Sequence, residues 1–258
     1  MINSISFVMP MYNEKDNIET VVSECLRVGY MVASEVELVV VDDASTDGCG
    51  EILDNLATKH PEVVALHHKK NRKLGGALKT GFANVSKEWV LYIDSDLPVK
   101  MDDLLEVVYL TDTYDVIIGW RKSRAESWRR EVMSKVYNKI IRLMYDLHVK
   151  DVNFAFKLFK SSLLKEILLT AEGSFIDAEF LLEMQRIDAK ITEVGMNYYP
   201  RVAGVSTLAS NSVIIKILQE MIRYRIEAYG KLPDNFSGER RRLWSEQVSE
   251  QRDTISIP

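Results

Sequence analysis

WVLYIDSD, residues 89–96, is a run of large apolar residues that ends in two aspartates, and VELVVVDDASTDG, residues 36–48, repeats this arrangement. Apolar runs without alternating polar residues are typical of strands that are covered on both faces of a sheet. Similar runs occupy residues 5–9 and 63–66, and segments of helical periodicity lie between the strands at residues 14–28, 47–59 and 74–85. Strands that alternate with helices predict a mainly parallel sheet flanked by helices.

The second half of the chain continues this pattern less regularly. It predicts strands at residues 116–119, 153–160 and 190–196, and helices at residues 101–110, 126–147, 161–169, 176–188 and 211–229. No linker rich in proline, glycine or serine interrupts the chain before residue 230. We therefore predict one α/β domain over residues 1–229, with halves at 1–100 and 101–229, followed by a loosely ordered polar C-terminal tail at 230–258.

The composition is that of a globular protein. The 258 residues are 47% hydrophobic and include two cysteines, which excludes the disordered and disulfide-framework classes. The first residues lack the pattern of a signal peptide, and no apolar run approaches the roughly 18 residues that span a bilayer. We expect a protein that acts in the cytoplasm.

The charges are unevenly distributed along the chain. The formal net charge is −5, which argues against nucleic acid as a partner, but residues 119–165 carry twelve basic and four acidic side chains, a local balance of +8. This basic segment, which includes Arg121, Arg124, Arg129 and Arg130, predicts contact with phosphate groups or peripheral contact with the cytoplasmic face of a membrane. A solvated helix face is the alternative interpretation.

Two acidic clusters follow strands of the predicted sheet. Asp94 and Asp96 end one strand, and Asp42 and Asp43 end another. Ligands bind beyond the carboxyl ends of parallel strands, and Mg²⁺ typically takes one or two carboxylates together with substrate phosphates. The alternatives are turn formation and capping of the next helix by Ser45 or Asp47. The presence of both clusters in one sheet favours a cation-assisted phosphate site.

Several motifs occur together in a characteristic order. The first half contains MPMYNE (9–14), VVDDASTDG (40–48), NRKLGGALKTG (71–81) and DSD (94–96), and the second half contains GWR (119–121), KDVNFAFKLF (150–159), DAE (177–179) and YPRVAGVS (199–206). Over residues 4–225 the chain resembles the family-2 inverting glycosyltransferases with the GT-A fold. The resemblance is to the branch that includes dolichol-phosphate mannosyltransferase and polyprenyl-phosphate glycosyltransferases. It implies a Rossmann-like, mixed and mainly parallel sheet.

The resemblance implies a binding site for a nucleotide sugar, with a UDP- or GDP-sugar as the donor. The residues that it assigns to the nucleotide are Pro10, Tyr12, Glu14, Asp42, Asp43, Lys79, Asp94 and Ser95. Asp42 is expected to bond the edge of the nucleobase, while Pro10, Tyr12 and Glu14 are expected to line the pocket for the base and ribose. For Lys79, an exposed helix lysine is an equally good interpretation.

The resemblance also implies a divalent cation, Mg²⁺ or Mn²⁺. Asp96 would be its principal ligand, assisted by Asp94. In the dolichol-phosphate mannosyltransferase pattern a glutamine two residues after the second aspartate helps to bind the metal, whereas this chain has Pro98 there. Coordination would then depend on the aspartates, the diphosphate and water.

On the acceptor side, the resemblance implies that Arg121 and Arg201 contact phosphate. The expected reaction is transfer of the sugar to a polyprenyl or dolichyl phosphate, which is anionic and needs no base. Transfer to a sugar hydroxyl of a glycan acceptor needs a general base, for which Asp177, Glu179 and Asp151 are candidates. Helix capping by Asp177 and solvation of a loop by Asp151 are the structural alternatives.

Three questions stay open at the level of sequence. The acceptor is a lipid phosphate or a hydroxyl, and a non-catalytic module that binds nucleotide sugars is a third possibility. Residues 213–225 either lie at a membrane interface or pack on the core. The identity of the sugar and the oligomeric state are not indicated by any motif.

Overall fold

The computed structural model describes residues 1–97, 99–122, 128–198, 211–227 and 237–256, without the side chains of 128–132, 211–216, 227, 237–243 and 252. The strands are β1 (Ile2–Met11), β2 (Ala33–Asp42), β3 (Val63–His68), β4 (Trp89–Ile93), β5 (Val116–Arg121), β6 (Phe156–Lys160), β7 (Ile191–Met196) and β8 (Ile255–Ser256). The helices are α1 (Ile18–Val32), α2 (Cys49–Lys59), α3 (Lys73–Ala83), α4 (Asp103–Val107), α5 (Trp128–Tyr145), α6 (Ile176–Arg186), α7 (Asn211–Glu227) and α8 (Ser237–Arg252).

The strands form one mixed, mainly parallel sheet in the order β7-β5-β6-β4-β1-β2-β3-β8. β1 is parallel to both β2 and β4, and β6 is antiparallel to β4 and β5. The predicted α/β class is therefore confirmed. The chain proceeds from β1 to β2 and β3 on one side and then crosses to β4 on the other, which leaves a crevice beyond the carboxyl ends of β1, β2 and β4.

Apolar side chains fill both faces of this sheet. Successive residues of β1 point to opposite faces, so that Phe7 belongs to the core cluster beneath α1 while Val8 belongs to the cluster with Phe82 of α3. This two-sided burial explains why the strands read as continuous apolar runs. It also leaves the polar residues that follow each strand gathered at one edge.

Two predicted helices are shorter than expected. The segment predicted over residues 101–110 forms the single turn of α4 and then a 3₁₀ turn at Val108–Asp112, and the segment predicted at 161–169 forms a 3₁₀ turn at Ser161–Glu166. Among the described residues, none of the helices combines the length and the apolar character needed to cross a bilayer.

The expectation of a loosely ordered tail is wrong for residues 237–256. This part of the chain forms α8, which packs on α3, and β8, which pairs antiparallel with β3. Its polar composition was misleading because much of its attachment is by hydrogen bonds, as at Gln251, and by one large side chain, Trp244, which is 91% buried. The predicted domain boundaries remain a prediction.

Candidate active site

The loops that follow β1 and β2 are joined into one wall of the crevice. The backbone N–H of Asn13 donates to Oγ of Ser45 over 2.9 Å, and the N–H of Thr46 donates to Oδ1 of Asn13 over 2.8 Å. Asp47 accepts the N–H of Lys15 and, with its other carboxylate oxygen, the N–H of Cys49 at the start of α2. Asp47 thus binds the first N–H of α2, although the N-cap position itself is Gly48, and Asp42 and Asp43 make other contacts.

Asp42 is held in one orientation by both of its carboxylate oxygens. Oδ1 accepts the N–H of Ser45 over 3.0 Å, and Oδ2 lies 3.0 Å from Nδ1 of His67. Burial raises the pKa of Asp42, but the hydrogen bonds from His67 and Ser45 outweigh it and lower the pKa overall. The ring of His67 lies between Asp42 and Asp54, and the hydrogen bond with Asp42 is the main reason that its pKa is raised. The structure therefore holds a buried carboxylate with a lowered pKa at the carboxyl end of β2.

The residues predicted to line the base pocket lie at the mouth of the crevice. Tyr12 follows β1 and is 46% exposed, while Pro10 and Glu14 are half-buried. Glu14 accepts a hydrogen bond from the side chain of Asn17 over 2.7 Å, at the start of α1. Their roles in nucleotide binding remain a prediction, but the fold places them at one edge with Asp42.

Asp94, Ser95 and Asp96 form a turn directly after β4, on the other side of β1. The N–H of Leu97 donates to the carbonyl of Asp94 over 3.3 Å, and Ser95 is buried. Within the described part of the chain, no three His, Cys, Asp or Glu side chains are arranged to hold a metal ion. Two half-buried carboxylates nevertheless suit Mg²⁺ or Mn²⁺, because these hard cations accept one or two carboxylates with phosphate oxygens and water. Pro98 lies outside the described residues.

A buried lysine connects this turn to Asp177. Lys157 of β6 lies opposite Tyr92 of β4, and its Nζ is 2.6 Å from Oδ1 of Asp177, 2.9 Å from the carbonyl of Phe154 and 5.1 Å from the ring centroid of Tyr92. The hydroxyl of Tyr92 donates to Asp94 over 3.4 Å. Lys157 lies within the motif at 150–159 but was not predicted as a site residue. Its signal was a single charge within the apolar run 154–159.

The structure corrects the expectation that Asp177 caps α6. Its hydrogen bond is with Lys157, and 4% of its side chain is exposed. Burial raises the pKa of Asp177, and the positive charge of Lys157 opposes this effect. The carboxylate of Asp177 is therefore paired with Lys157 in a low-dielectric environment.

Asp151 and Arg121 form a buried bidentate pair. Nε of Arg121 donates to Oδ2 over 2.7 Å, and Nη2 donates to Oδ1 over 2.9 Å. The guanidinium lies against the rings of Phe154 and Tyr198, at 5.4 and 5.3 Å from their centroids, and the two rings contact each other. Asp151 does not solvate a loop, as one interpretation expected, because only 3% of the residue is exposed. Both of its oxygens accept from Arg121, which makes it a poor candidate for a general base.

Glu179 is buried and engaged by the loop before α6. Oε1 accepts the backbone N–H and the hydroxyl of Thr170, over 2.9 and 2.6 Å, and Oε2 accepts the N–H of Ala171 over 2.8 Å. Burial raises its pKa, against the effect of these hydrogen bonds. Its carboxylate thus organises the loop before α6, and we do not retain it as a candidate base.

Lys79 is not the exposed helix lysine of the alternative interpretation. It is buried, and its Nζ forms an ion pair with Glu172. Its contact with a nucleotide remains a prediction. Arg201 and Arg124 lie outside the described residues, as do the side chains of Arg129 and Arg130, so their contacts with phosphate are likewise untested.

Comparison with known proteins identifies the family. The model of glycosyl transferase family 2 matches residues 6–168, which is more than half of the chain. The chain belongs to glycosyl transferase family 2.

Relatives of this family-2 glycosyltransferase include proteins named for polyprenyl substrates. It is 29% identical over 175 residues to an undecaprenyl-phosphate 4-deoxy-4-formamido-L-arabinose transferase of Edwardsiella ictaluri, covering 67% of this chain and 54% of that protein. It is 26% identical over 241 residues to a polyprenol monophosphomannose synthase of Mycolicibacterium smegmatis, covering 85% and 88%. It is 25% identical over 246 residues to a dolichyl-phosphate beta-glucosyltransferase of Trichomonas vaginalis, covering 86% and 76%. The chain thus spans about half the length of the first of these relatives.

Solved structures share the fold. The glucosyl-3-phosphoglycerate synthase of Mycobacterium tuberculosis, in complex with Mn²⁺ and UDP-glucose, superposes with a TM-score of 0.63 at 20% identity, covering 86% of this chain and 79% of that one. At this identity the likeness establishes a GT-A architecture for the family-2 glycosyltransferase, as predicted.

Proposed function

We propose that this family-2 glycosyltransferase moves a sugar from a UDP- or GDP-sugar to a polyprenyl or dolichyl phosphate. The choice of acceptor rests on one observation: each of the three carboxylates that are candidates for a general base already has a hydrogen-bond partner in the protein. Asp151 is paired with Arg121, Glu179 holds the loop at Thr170, and Asp177 is paired with Lys157. A hydroxyl acceptor needs a base, whereas a phosphate is already anionic at neutral pH.

The donor would be held at the carboxyl edge of the sheet. Asp42 accepts a hydrogen bond from the nucleobase, and Tyr12 offers an exposed ring at the mouth of the crevice. Asp94 and Asp96 would hold the Mg²⁺ or Mn²⁺ that neutralises charge on the leaving diphosphate. The relative from Mycobacterium tuberculosis was crystallised with Mn²⁺ and UDP-glucose, which supports this assignment.

The reaction is a single displacement. An oxygen of the acceptor phosphate forms a bond with the anomeric carbon of the sugar. The bond between that carbon and the diphosphate breaks, and its electron pair leaves with the nucleoside diphosphate. Arg121, which is held rigidly by Asp151, and Arg201 contribute positive charge near the phosphates.

Transfer assays with two classes of acceptor test this function. UDP- and GDP-sugars are incubated with the protein, Mn²⁺ and either polyprenyl phosphate in detergent or a set of saccharides. We expect the lipid phosphate to be glycosylated, and transfer only to saccharides would contradict the proposal. The variant Asp96→Ala separates an enzyme from a binding module, because an enzyme loses turnover while a module loses at most affinity.

We further propose peripheral contact with a membrane through a surface formed by α5 and α7. The helices touch where the hydroxyl of Tyr145 donates to the carbonyl of Met221 over 2.5 Å. Large apolar side chains are exposed on both, and Leu143 is 85% exposed. The apolar members are Met133, Val136, Leu143, Leu218, Ile222 and Ile226, and the basic ones include Lys139, Arg142 and Arg223. Exposed apolar groups with basic neighbours suit an anionic lipid interface.

Vesicle sedimentation tests this contact with a matched pair of variants. Met133 of α5 and Met31 of α1 are similarly exposed, at 47% and 50%, but only Met133 lies on the proposed surface. We expect Met133→Glu to weaken binding to vesicles of phosphatidylglycerol and Met31→Glu to leave it unchanged. Equal effects of the two substitutions would exclude this surface.

A further inference from the structure

The C-terminal segment, residues 237–256, is attached to the donor side of the sheet by a buried glutamine. Gln251 is 3% exposed at the end of α8. Its Oε1 lies 2.6 Å from Nη1 of Arg72 and 3.0 Å from Oγ1 of Thr80. One acceptor atom from the C-terminal segment thus binds two donors next to α3.

Two routes of hydrogen bonds lead from Gln251 to Asp43. The first passes through Arg72, whose backbone N–H donates to Oδ1 of Asp43 over 2.7 Å. The second passes through Thr80, whose Oγ1 is 2.8 Å from Nε2 of His68, while Nδ1 of His68 is 2.7 Å from the same Oδ1. The side chain of His68 is wholly buried. Asp43 is adjacent to Asp42, so the two routes converge on the loop assigned to the nucleotide.

The chemistry of these groups assigns the protons along the second route. A guanidinium has donors and no acceptor, so the atom of Gln251 that faces Arg72 is the carbonyl oxygen. That oxygen can only accept, and the hydroxyl of Thr80 must therefore donate its single proton to it. The lone pairs of Thr80 then face Nε2 of His68, which must carry a proton.

The other ring nitrogen faces a carboxylate. Oδ1 of Asp43 accepts the N–H of Arg72 and lies 2.7 Å from Nδ1 of His68. Nδ1 therefore faces Asp43 while Nε2 faces Thr80, and the ring is held between these two residues. The proton on Nε2 depends on Gln251, because a hydroxyl of Thr80 released from Gln251 is free to turn its own proton toward Nε2.

We infer that Gln251 is a positioning residue of the donor site: its carbonyl oxygen fixes the proton on Nε2 of His68 and, through His68 and Arg72, the orientation of Asp43. The C-terminal segment, which lies beyond the matched family region, is then part of the machinery that binds the nucleotide. This inference rests on the proposed function, since it takes the loop at Asp42 and Asp43 as the nucleotide site.

Three variants separate positioning from packing. Gln251→Leu removes the acceptor, whereas Gln251→Glu keeps an oxygen that accepts from both Arg72 and Thr80. Glu250→Gln changes the exposed neighbour on the same helix and is the control. Circular dichroism and thermal unfolding establish that each variant is folded at the temperature of the binding measurement.

The affinities for UDP and GDP, each with Mn²⁺, are measured by calorimetry. We expect Gln251→Leu to weaken binding about tenfold, because it leaves buried donors without their acceptor. Gln251→Glu and Glu250→Gln should stay within about twofold of the wild type. Equal losses in the leucine and glutamate variants would show that only packing matters and would overturn the inference, as would unchanged affinity in Gln251→Leu.

A spectroscopic measurement adds a signature that a packing role would not produce. Nitrogen-15 NMR of labelled histidine, with His68 assigned from the variant His68→Gln, should show a proton on Nε2 in the wild type and in Gln251→Glu. Gln251→Leu should lose the proton on Nε2, because the hydroxyl of Thr80 is then free to donate to that nitrogen. An unchanged His68 spectrum in Gln251→Leu would contradict the inference.

The outcomes also distinguish this inference from the proposed function. A wild-type protein that binds UDP or GDP with Mn²⁺ but transfers nothing to a lipid phosphate would refute the proposed acceptor and leave the inference standing. Normal transfer together with wild-type nucleotide affinity in Gln251→Leu would refute the inference alone. A protein that binds neither nucleotide would refute both.

Discussion

At the scale of single residues, Lys157 and Asp177 form a buried ion pair in which each charge needs the other to offset the cost of its burial. Their side chains are 2% and 4% exposed, and their charged atoms are 2.6 Å apart. Moving either charge out of water is costly, and the attraction between them offsets that cost only while both are present. Lys157 also contacts the ring of Tyr92, which lies two residues before Asp94.

We predict that Lys157→Met destabilises the protein by about 3–5 kcal/mol, because it leaves the carboxylate of Asp177 buried without its partner. Lys160→Met is the matched control on the same strand. Lys160 pairs with Asp115 but is 38% exposed, and its loss should cost at most about 1 kcal/mol. Urea unfolding at pH 7 measures both values, and equal costs would contradict the prediction.

His67 provides a second residue-level test, through pH. The pKa of His67 is raised, mainly by its hydrogen bond with Asp42, so the charged ring stabilises the native state fully below the ordinary histidine value near pH 6.5. That stabilisation is lost as the pH rises through the raised native pKa. We therefore predict that the difference in unfolding free energy between wild type and His67→Gln falls with rising pH above about pH 6.5, by no more than about 1.4 kcal/mol per pH unit.

The measurement is the free energy of unfolding from pH 5.5 to pH 9. His148→Gln is the control, since the side chain of His148 is 53% exposed and lies apart from the crevice on the loop after α5. A difference between wild type and His67→Gln that is constant across this range would contradict the assignment of a raised pKa to His67.

At the scale of elements, α3 depends on close approach by the loop before α6. The N–H of Gly75 donates to the carbonyl of Glu172 over 2.9 Å, and a Cβ at Gly75 would lie 2.3 Å from the carbonyl oxygen of Ala171. Backbone atoms cannot move away as a flexible side chain can. Packing of this loop on the helix therefore explains Gly75, whereas a Cβ at Gly76 would first meet the Cβ of Arg72, at 2.4 Å.

We predict that Gly75→Ala destabilises the protein by about 2 kcal/mol or more, because the loop must shift from α3. Gly173→Ala is the matched control in the same loop. There the added Cβ would meet only the carboxylate of Glu220, at the end of a flexible side chain. Denaturant unfolding of the two variants measures the difference, and a similar cost for both would argue against the backbone contact.

At the scale of the whole molecule, the fold gathers polar groups that the chain distributes widely. The carboxyl ends of β1, β2 and β4 bring Tyr12, Asp42 and Asp96 to one edge, although 84 positions separate the first from the last. A ligand held at this edge would bridge both sides of β1. Binding should therefore stabilise the native state as a whole.

We predict that UDP or GDP with Mn²⁺, at about 100 times its dissociation constant, raises the melting temperature by roughly 5–10 °C. Addition of EDTA should remove most of the shift if Asp94 and Asp96 hold the cation. Asp96→Asn should respond like the EDTA sample, whereas Asp112→Asn, at an exposed residue of a 3₁₀ turn, should respond like the wild type. A shift that survives both EDTA and Asp96→Asn would exclude the proposed metal role.

The sequence by itself determined the fold class and its main elements. Apolar runs at 36–41 and 89–93 became β2 and β4, and the helical periodicity at 176–188 became α6. These patterns are local, since the spacing of apolar residues within a segment is enough to predict whether that segment forms a strand or a helix. The aspartates at 42 and 94 were predictable for the same reason, since Asp42 ends β2 and Asp94 directly follows β4.

Only the tertiary structure decided which of the candidate carboxylates are committed and what holds the C-terminal segment. Asp151 is bound by Arg121, 30 positions away, Asp177 by Lys157, 20 positions away, and Gln251 by Arg72, 179 positions away. A hydrogen bond between residues far apart in the sequence is not predicted by any periodic pattern, because it depends on where the sheet places the two side chains. Residue type and spacing thus determined what could react, and three-dimensional packing decided which of those groups already has a partner.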